Sequence, residues 1–163
     1  MVLLGKRVLD RNFYLQDTLC CAHNLVGTYL AVFSAPVSTQ QIRLDEQNRV
    51  VEAIDLPDYT LCRIVETEAY LGKADKAAHS WKGDPNGRCK VMYGTGGKVY
   101  VYLIYGMYHC LNFVTEPEGT AAAVLLRGVE AVSGADLMAF NRFGRGYEQL
   151  TADQRKNFLN GPG

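Results

Sequence analysis

Apolar and polar positions alternate with a two-residue period over Arg63–Tyr70 (R-I-V-E-T-E-A-Y) and again over Lys98–Asn112 (K-V-Y-V-Y-L-I-Y-G-M-Y-H-C-L-N). That period predicts strands with two chemically different faces. In the first segment it sets Ile64, Glu66, Glu68 and Tyr70 against Val65, Thr67, Ala69 and Leu71. In the second, Tyr100 and Tyr102 share a face open to stacking, and Val101 and Leu103 take the other, where they are expected to pack a core. The strand breaks at Gly106, just after Tyr105, and Tyr108 adds a further ring. Tyr29–Phe33, Tyr59–Tyr70, Lys98–Ile104, Met107–Thr115 and Ala121–Val129 are the predicted strands, punctuated by turns such as G-T-G-G at Gly94–Gly97 and E-P-E-G at Glu116–Gly119.

Helical signals flank them. Asp17 followed by T-L-C-C-A-H-N-L-V and Gly27 predicts a capped helix with Leu19, Ala22 and Val26 on one face. Gly134–Phe143 and Thr151–Asn160 predict two more, the last capped by Thr151. Ser34–Asp58 is polar, holds Pro36, Pro57 and Asp45-Glu46, and reads as an insertion between strands where function is not expected. Two hairpin-like connections make the sheet largely antiparallel, so the expected fold is α+β, a single domain over residues 1–163 with a curved, mainly antiparallel sheet and flanking helices. The closing Asn160-Gly161-Pro162-Gly163 is a turn signal and predicts that a C-terminal portion of the domain is lacking.

With 163 residues, 48% of them hydrophobic, the chain can bury a sizeable core. Seventeen basic residues balance seventeen acidic ones, which argues against a strongly basic nucleic-acid binder. Locally the balance differs. Lys82, Arg88, Lys90 and Lys98 flank the tyrosine segment with Asp84 the only acid among residues 80–98, forming either a patch that tracks phosphates or an ordinary solvated loop. The five cysteines are odd in number and include the adjacent Cys20-Cys21, so a disulfide framework is not expected. There is no C-x-x-C, and His23, His79 and His109 are scattered, so no metal site is expected either. The run Met1–Leu4 before Lys6 and Arg7 is too short for a signal peptide, and no segment reaches membrane-spanning length. These features together predict a soluble protein with reduced thiols.

Several side chains invite a chemical reading. Glu68, on a strand face beside Tyr70, is placed to activate water as a general base, or else Glu66 and Glu68 form the wet side of a half-exposed strand. His79 in A-A-H-S can bond a flat ring or be a satisfied loop histidine. Arg127, ending A-A-A-V-L-L-R, can position water or phosphate, or simply terminate a surface strand. Asn112 can face a ligand or bond backbone of its own segment.

The order R-I-V-E-T-E-A-Y-L-G, A-A-H-S, V-Y-V-Y-L-I-Y-G-M-Y-H-C-L-N and V-L-L-R resembles the alkyladenine (3-methyladenine) DNA glycosylase family, the mammalian and bacterial type distinct from the helix-hairpin-helix glycosylases. The resemblance runs from about Leu9 to Gly163 and is densest from Arg63 to Arg127. It implies a monofunctional base excision repair enzyme that flips damaged purines, alkylated or deaminated, out of duplex DNA and hydrolyses the N-glycosidic bond, leaving an abasic site. By resemblance, Glu68 is the general base and Arg127 helps to position the water. Tyr70, His79 and Tyr102 enclose the base, Asn112 disfavours normal guanine, and Tyr105 is wedged into the duplex where the base has left.

The resemblance also implies no cofactor, no metal, no covalent DNA intermediate and no membrane partner. It implies a monomer acting on double-stranded DNA containing damaged purines, in the cytoplasm at a bacterial nucleoid or in a eukaryotic nucleus. Family members continue past the Gly161-Pro162 position with further strands, which leaves a second expectation: a truncated, catalytically weak or inactive DNA-binding homologue.

Overall fold

A computed structural model describes residues 3–160, so Gly161–Gly163 and the turn read there lie outside the described residues. The elements in chain order are α1 (Arg11–Tyr14), α2 (Thr18–Leu25), β1 (Tyr29–Phe33), β2 (Ile42–Leu44), β3 (Val50–Ala53), β4 (Tyr59–Tyr70), β5 (Val99–Ile104), β6 (Tyr108–Thr115), β7 (Ala122–Ser133), α3 (Ala135–Phe143) and α4 (Ala152–Lys156). Five strands form one sheet in the order β1-β4-β7-β6-β5, every neighbouring pair antiparallel. The fold is α+β, with a mainly antiparallel open sheet and a few helices.

The sheet carries a core on each face. On one, Ile64, Phe113 and Val124 pack with Cys21, Ala22 and Leu25 of α2. On the other, Tyr100, Val114 and Ala123 pack with Cys89, Met92 and Ala121 from the long connections. A third cluster, Ala139, Leu150 and Phe158, joins the C-terminal helices. Helix α2 starts where Asp17 accepts hydrogen bonds from the Leu19 and Cys20 amides, donors that have no partner within the helix. Thr151 caps α4 in the same manner, accepting from the Gln154 amide.

Several expectations need correction. The inward face of α2 is Thr18, Cys21, Ala22 and Leu25, whereas Leu19 and Val26 are exposed. The small Cys21 and Ala22 let the helix approach the sheet closely; of the predicted stripe only Ala22 faces inward, and Leu19 and Val26 lie on the outer side. Ser34–Asp58 is, as expected, an insertion between β1 and β4, and it folds into a separate two-stranded sheet of its own, β2 with β3. Strand β7 runs to Ser133, past the predicted end at Val129, because β4 supplies partners as far as Leu61. Helix α4 ends at Lys156, and Asn160 bridges back to Gly128.

The most instructive correction is one of parity. The β4–β7 register slips at Val65 and again at Arg127, each the extra residue on its own strand. Such a bulge puts two consecutive residues on one side and reverses the alternation beyond it. Ile64 therefore joins Thr67 and Ala69 on the α2 side, where Thr67 Oγ1 donates to the Ala22 carbonyl at 2.9 Å. It does not share the face of Glu68 and Tyr70. A second reversal concerns β5, whose tyrosine side is the buried one. Tyr100 is 5% exposed, while Val101 and Leu103 are 48% and 53% exposed, because α2 covers the middle of the sheet and stops short of this outer strand.

Candidate active site

Cross-strand register assembles the site. Glu68 pairs with Leu125, Leu125 with Asn112, and Asn112 with Tyr100, so four residues from β4, β7, β6 and β5 form one row on one face of the sheet. The next rows along the same face carry Tyr70 with Ala123, and Tyr102 with Cys110.

At one end of the row stands a carboxylate with two donors. Arg127 Nε lies 3.0 Å from Glu68 Oε1, and the Tyr70 hydroxyl donates to Glu68 Oε2 at 2.7 Å. The Tyr70 phenol is pushed up to about 12, chiefly by burial and further by its bond to the Glu68 carboxylate. It therefore stays protonated and donates throughout the neutral range. Arg127 also holds Nη1 buried with no hydrogen-bond partner among the described residues. A buried guanidinium N–H is an expensive group to leave unpaired, and it marks a place where an acceptor belongs.

At the other end are the rings. His79 lies 4.2 Å from Tyr102 between ring centroids, tilted at 59°, and its Nδ1 is 3.2 Å from the Tyr100 hydroxyl. Tyr100 and Tyr102 lie 5.6 Å apart at 32°. Burial lowers the His79 pKa, with a smaller contribution from the Arg88 charge, so at neutral pH the ring offers one donor and one acceptor. The loop holding His79 is pinned by its neighbour: Ser80 is fully buried and donates to the Ala121 carbonyl at 2.7 Å. Gly72 contributes to the same anchorage. Its φ is +66°, and a Cβ there would lie 2.5 Å from the Thr120 carbonyl oxygen, so only glycine fits.

Asn112 is 3% exposed, and its Nδ2 donates to the backbone carbonyls of Tyr100 (3.1 Å) and Cys110 (3.2 Å). Its side chain is thus held by backbone while still lining a small cavity with Tyr70, His79, Tyr100 and Tyr102. That cavity measures only about 20 Å³, room for a water molecule and far below the ~300 Å³ of a small ligand site. The rings must part to admit anything larger. A much larger cavity, about 970 Å³ and mostly apolar, lies elsewhere, between the N-terminal segment, β1 and the β2–β3 pair, and contains none of these residues.

The structure thus brings Glu68, Tyr70 and Arg127 into one hydrogen-bonded cluster, and Tyr70, His79, Tyr102 and Asn112 around one cavity. Tyr105 stands apart. It is 74% exposed at the tip of the β5–β6 hairpin, with φ +54° beside Gly106 at +71°. Tyr100, Ala77, Met92 and Ala123 complete the cavity wall, and sequence patterning does not select them as site residues. Only Tyr100 carries a signal, its shared parity with Tyr102. Among the described residues no group of three or more His, Cys, Asp or Glu is placed to hold a metal ion, and no helix is long and apolar enough to cross a membrane.

Residues 48–163 match the family model for methylpurine-DNA glycosylase (MPG). Curated relatives bear the name "Putative 3-methyladenine DNA glycosylase". One from Alkaliphilus oremlandii is 55% identical over 155 residues, covering 95% of this chain and 66% of the relative. One from Clostridium perfringens strain SM101 is 40% identical over 154 residues, covering 94% and 65%. One from Desulfitobacterium hafniense is 41% identical over 155 residues, covering 95% and 66%. The chain spans just under two thirds of the length of these relatives. With a family match running from residue 48 to residue 163, on a sheet face that presents the motifs together, the chain belongs to the methylpurine-DNA glycosylase family.

Proposed function

We propose that this protein is a base excision repair glycosylase that takes damaged purines from double-stranded DNA and hydrolyses their N-glycosidic bond, leaving an abasic site. The single observation that carries the reading is the sheet face itself: a two-donor carboxylate, Glu68, at one end and a ring-lined cavity at the other, spanned by the row Glu68–Leu125–Asn112–Tyr100. In this reading water attacks the sugar C1′ as the bond to the base breaks. The departing base keeps the bonding electrons, and Glu68 accepts the proton of the water. Alkylation on a ring nitrogen gives the purine positive charge, which favours both its departure and its binding against the faces of Tyr70 and Tyr102.

Arg127 holds Glu68 through Nε and keeps the buried Nη1 for an oxygen of the water or of the DNA backbone. His79 bonds the seated base, and Asn112, fixed by two carbonyls, presents a rigid wall against the exocyclic amine of normal guanine. Tyr105, on its exposed tip, fills the gap left in the duplex. The work is done by a monomer, without cofactor, wherever the DNA resides. The test is release of free base from a duplex carrying a single alkylated purine. Abasic product without strand cleavage is expected, with an undamaged duplex left intact; release of no base, or cleavage of the strand, contradicts the reading.

A further inference from the structure

We propose that Tyr70 is the positioning residue for Glu68: its hydroxyl holds one carboxylate oxygen while its ring walls the base cavity, so that one side chain links the seating of the base to the aim of the carboxylate. The inference rests on the reading of Glu68 as the general base. Tyr70 is the only ring of the cavity wall that also bonds Glu68 among the described residues.

The geometry supports a clamp. Oε1 is taken by Arg127 Nε at 3.0 Å and Oε2 by the Tyr70 hydroxyl at 2.7 Å, so each oxygen has its own donor. A carboxylate held at one oxygen swings about its terminal torsion, which is broad and soft; one held at both has a fixed plane. The two donors come from different strands, Arg127 from β7 and Tyr70 from β4, and β4 also carries Glu68 two residues away on the same face. Displacement of either strand would break the clamp, so the carboxylate is aimed only while β4 and β7 keep their register.

The phenol suits the role chemically. Its O–H lies in the ring plane, so the bond to Glu68 uses the edge and leaves the π face for a stacked base. Burial keeps the group protonated, so the donor is present whenever the carboxylate is. A misaimed general base loses much of its effect, because attack requires the water to sit within a narrow range of distance and angle.

Tyr70→Phe separates the two functions of the side chain, since it keeps the ring and removes only the hydroxyl. Single-turnover base release is expected to fall roughly tenfold or more, with affinity for lesion DNA within about twofold of wild type and an unchanged melting temperature. Release at the wild-type rate overturns the proposal. So does a loss of affinity that accounts for the whole loss of rate, because the hydroxyl would then serve binding and not Glu68. Glu68→Gln is measured alongside: if that variant releases base normally, it is the general-base reading that fails, whereas a dead Glu68→Gln beside a fully active Tyr70→Phe rejects the positioning role alone.

Discussion

Two donors converge on Glu68, and each arrives through a single-residue event. Tyr70 is there because the pleat repeats every two residues, a feature readable in R-I-V-E-T-E-A-Y; Arg127 is an extra residue in its strand, which no pattern in V-L-L-R announces. The residue types of the site were legible as motifs, and so was the shared face of Glu68 and Tyr70. The closed state of the cavity was not, since it depends on how His79, carried by a loop, settles against Tyr102. That burial has a pH consequence. The folded-state pKa of His79 lies below its ordinary 6.5, so the unfolded chain takes up the proton first as the pH falls. The stabilisation is complete above about 6.5 and is lost as the pH drops through the lowered value. The melting temperature of the wild type should therefore fall more steeply between about pH 7 and pH 5 than that of His79→Gln. Parallel slopes would show that the ring is not held neutral by the fold.

At the scale of elements, four strands were legible within a residue at each end, because alternation, glycine and proline mark them locally. What escaped was set by partners distant in the chain. The Val65 bulge exists because β7 carries a compensating one at Arg127, and β2 and β3 are short strands that pair mainly with each other. The β5–β6 hairpin places a bulky residue where the turn geometry favours glycine. Its first turn residue, Tyr105, adopts a left-handed conformation that glycine tolerates better, and its ring is 74% exposed. The left-handed region costs an ordinary residue about 1–2 kcal/mol, offset in part by the extra unfolded-state entropy of glycine. Tyr105→Gly should leave stability unchanged or raise it by up to ~1 kcal/mol, measured by urea unfolding. The same variant should lose the extrahelical population of a fluorescent base analogue in bound duplex. Loss of that population would support the proposed wedge as the reason a strained side chain stands there; an unchanged population would remove that reason.

For the whole molecule, a net charge of zero conceals segregation. Residues 71–98 hold six cations, Lys73, Lys76, Lys82, Arg88, Lys90 and Lys98, against Asp75 and Asp84, a surplus of four that the remainder of the chain cancels. Both acids are engaged by backbone, Asp75 by the Ala77 amide and Asp84 by the Asn86 amide. The same stretch delivers Ala77, His79 and Met92 to the cavity, which is where phosphates must come if a base is to reach it. Replacing Lys82, Arg88 and Lys90 together by alanine should reduce the slope of log affinity against log salt for duplex DNA by roughly 2–3, one counterion for each phosphate that is no longer neutralised. An unchanged slope would make the stretch a solubilising loop. The antiparallel character of the sheet was legible from its hairpins; the adjacency of β4 and β7, which builds the Glu68–Arg127 pair, joins residues far apart in sequence and was not. The central claim is that Glu68 draws the proton from the attacking water, and the most direct measurement is single-turnover base release by Glu68→Gln on a duplex bearing one alkylated purine. The amide preserves shape and loses the basic oxygen, so release should fall by a factor of ~10² or more while lesion-DNA affinity holds; release at the wild-type rate would show that the carboxylate is not the base.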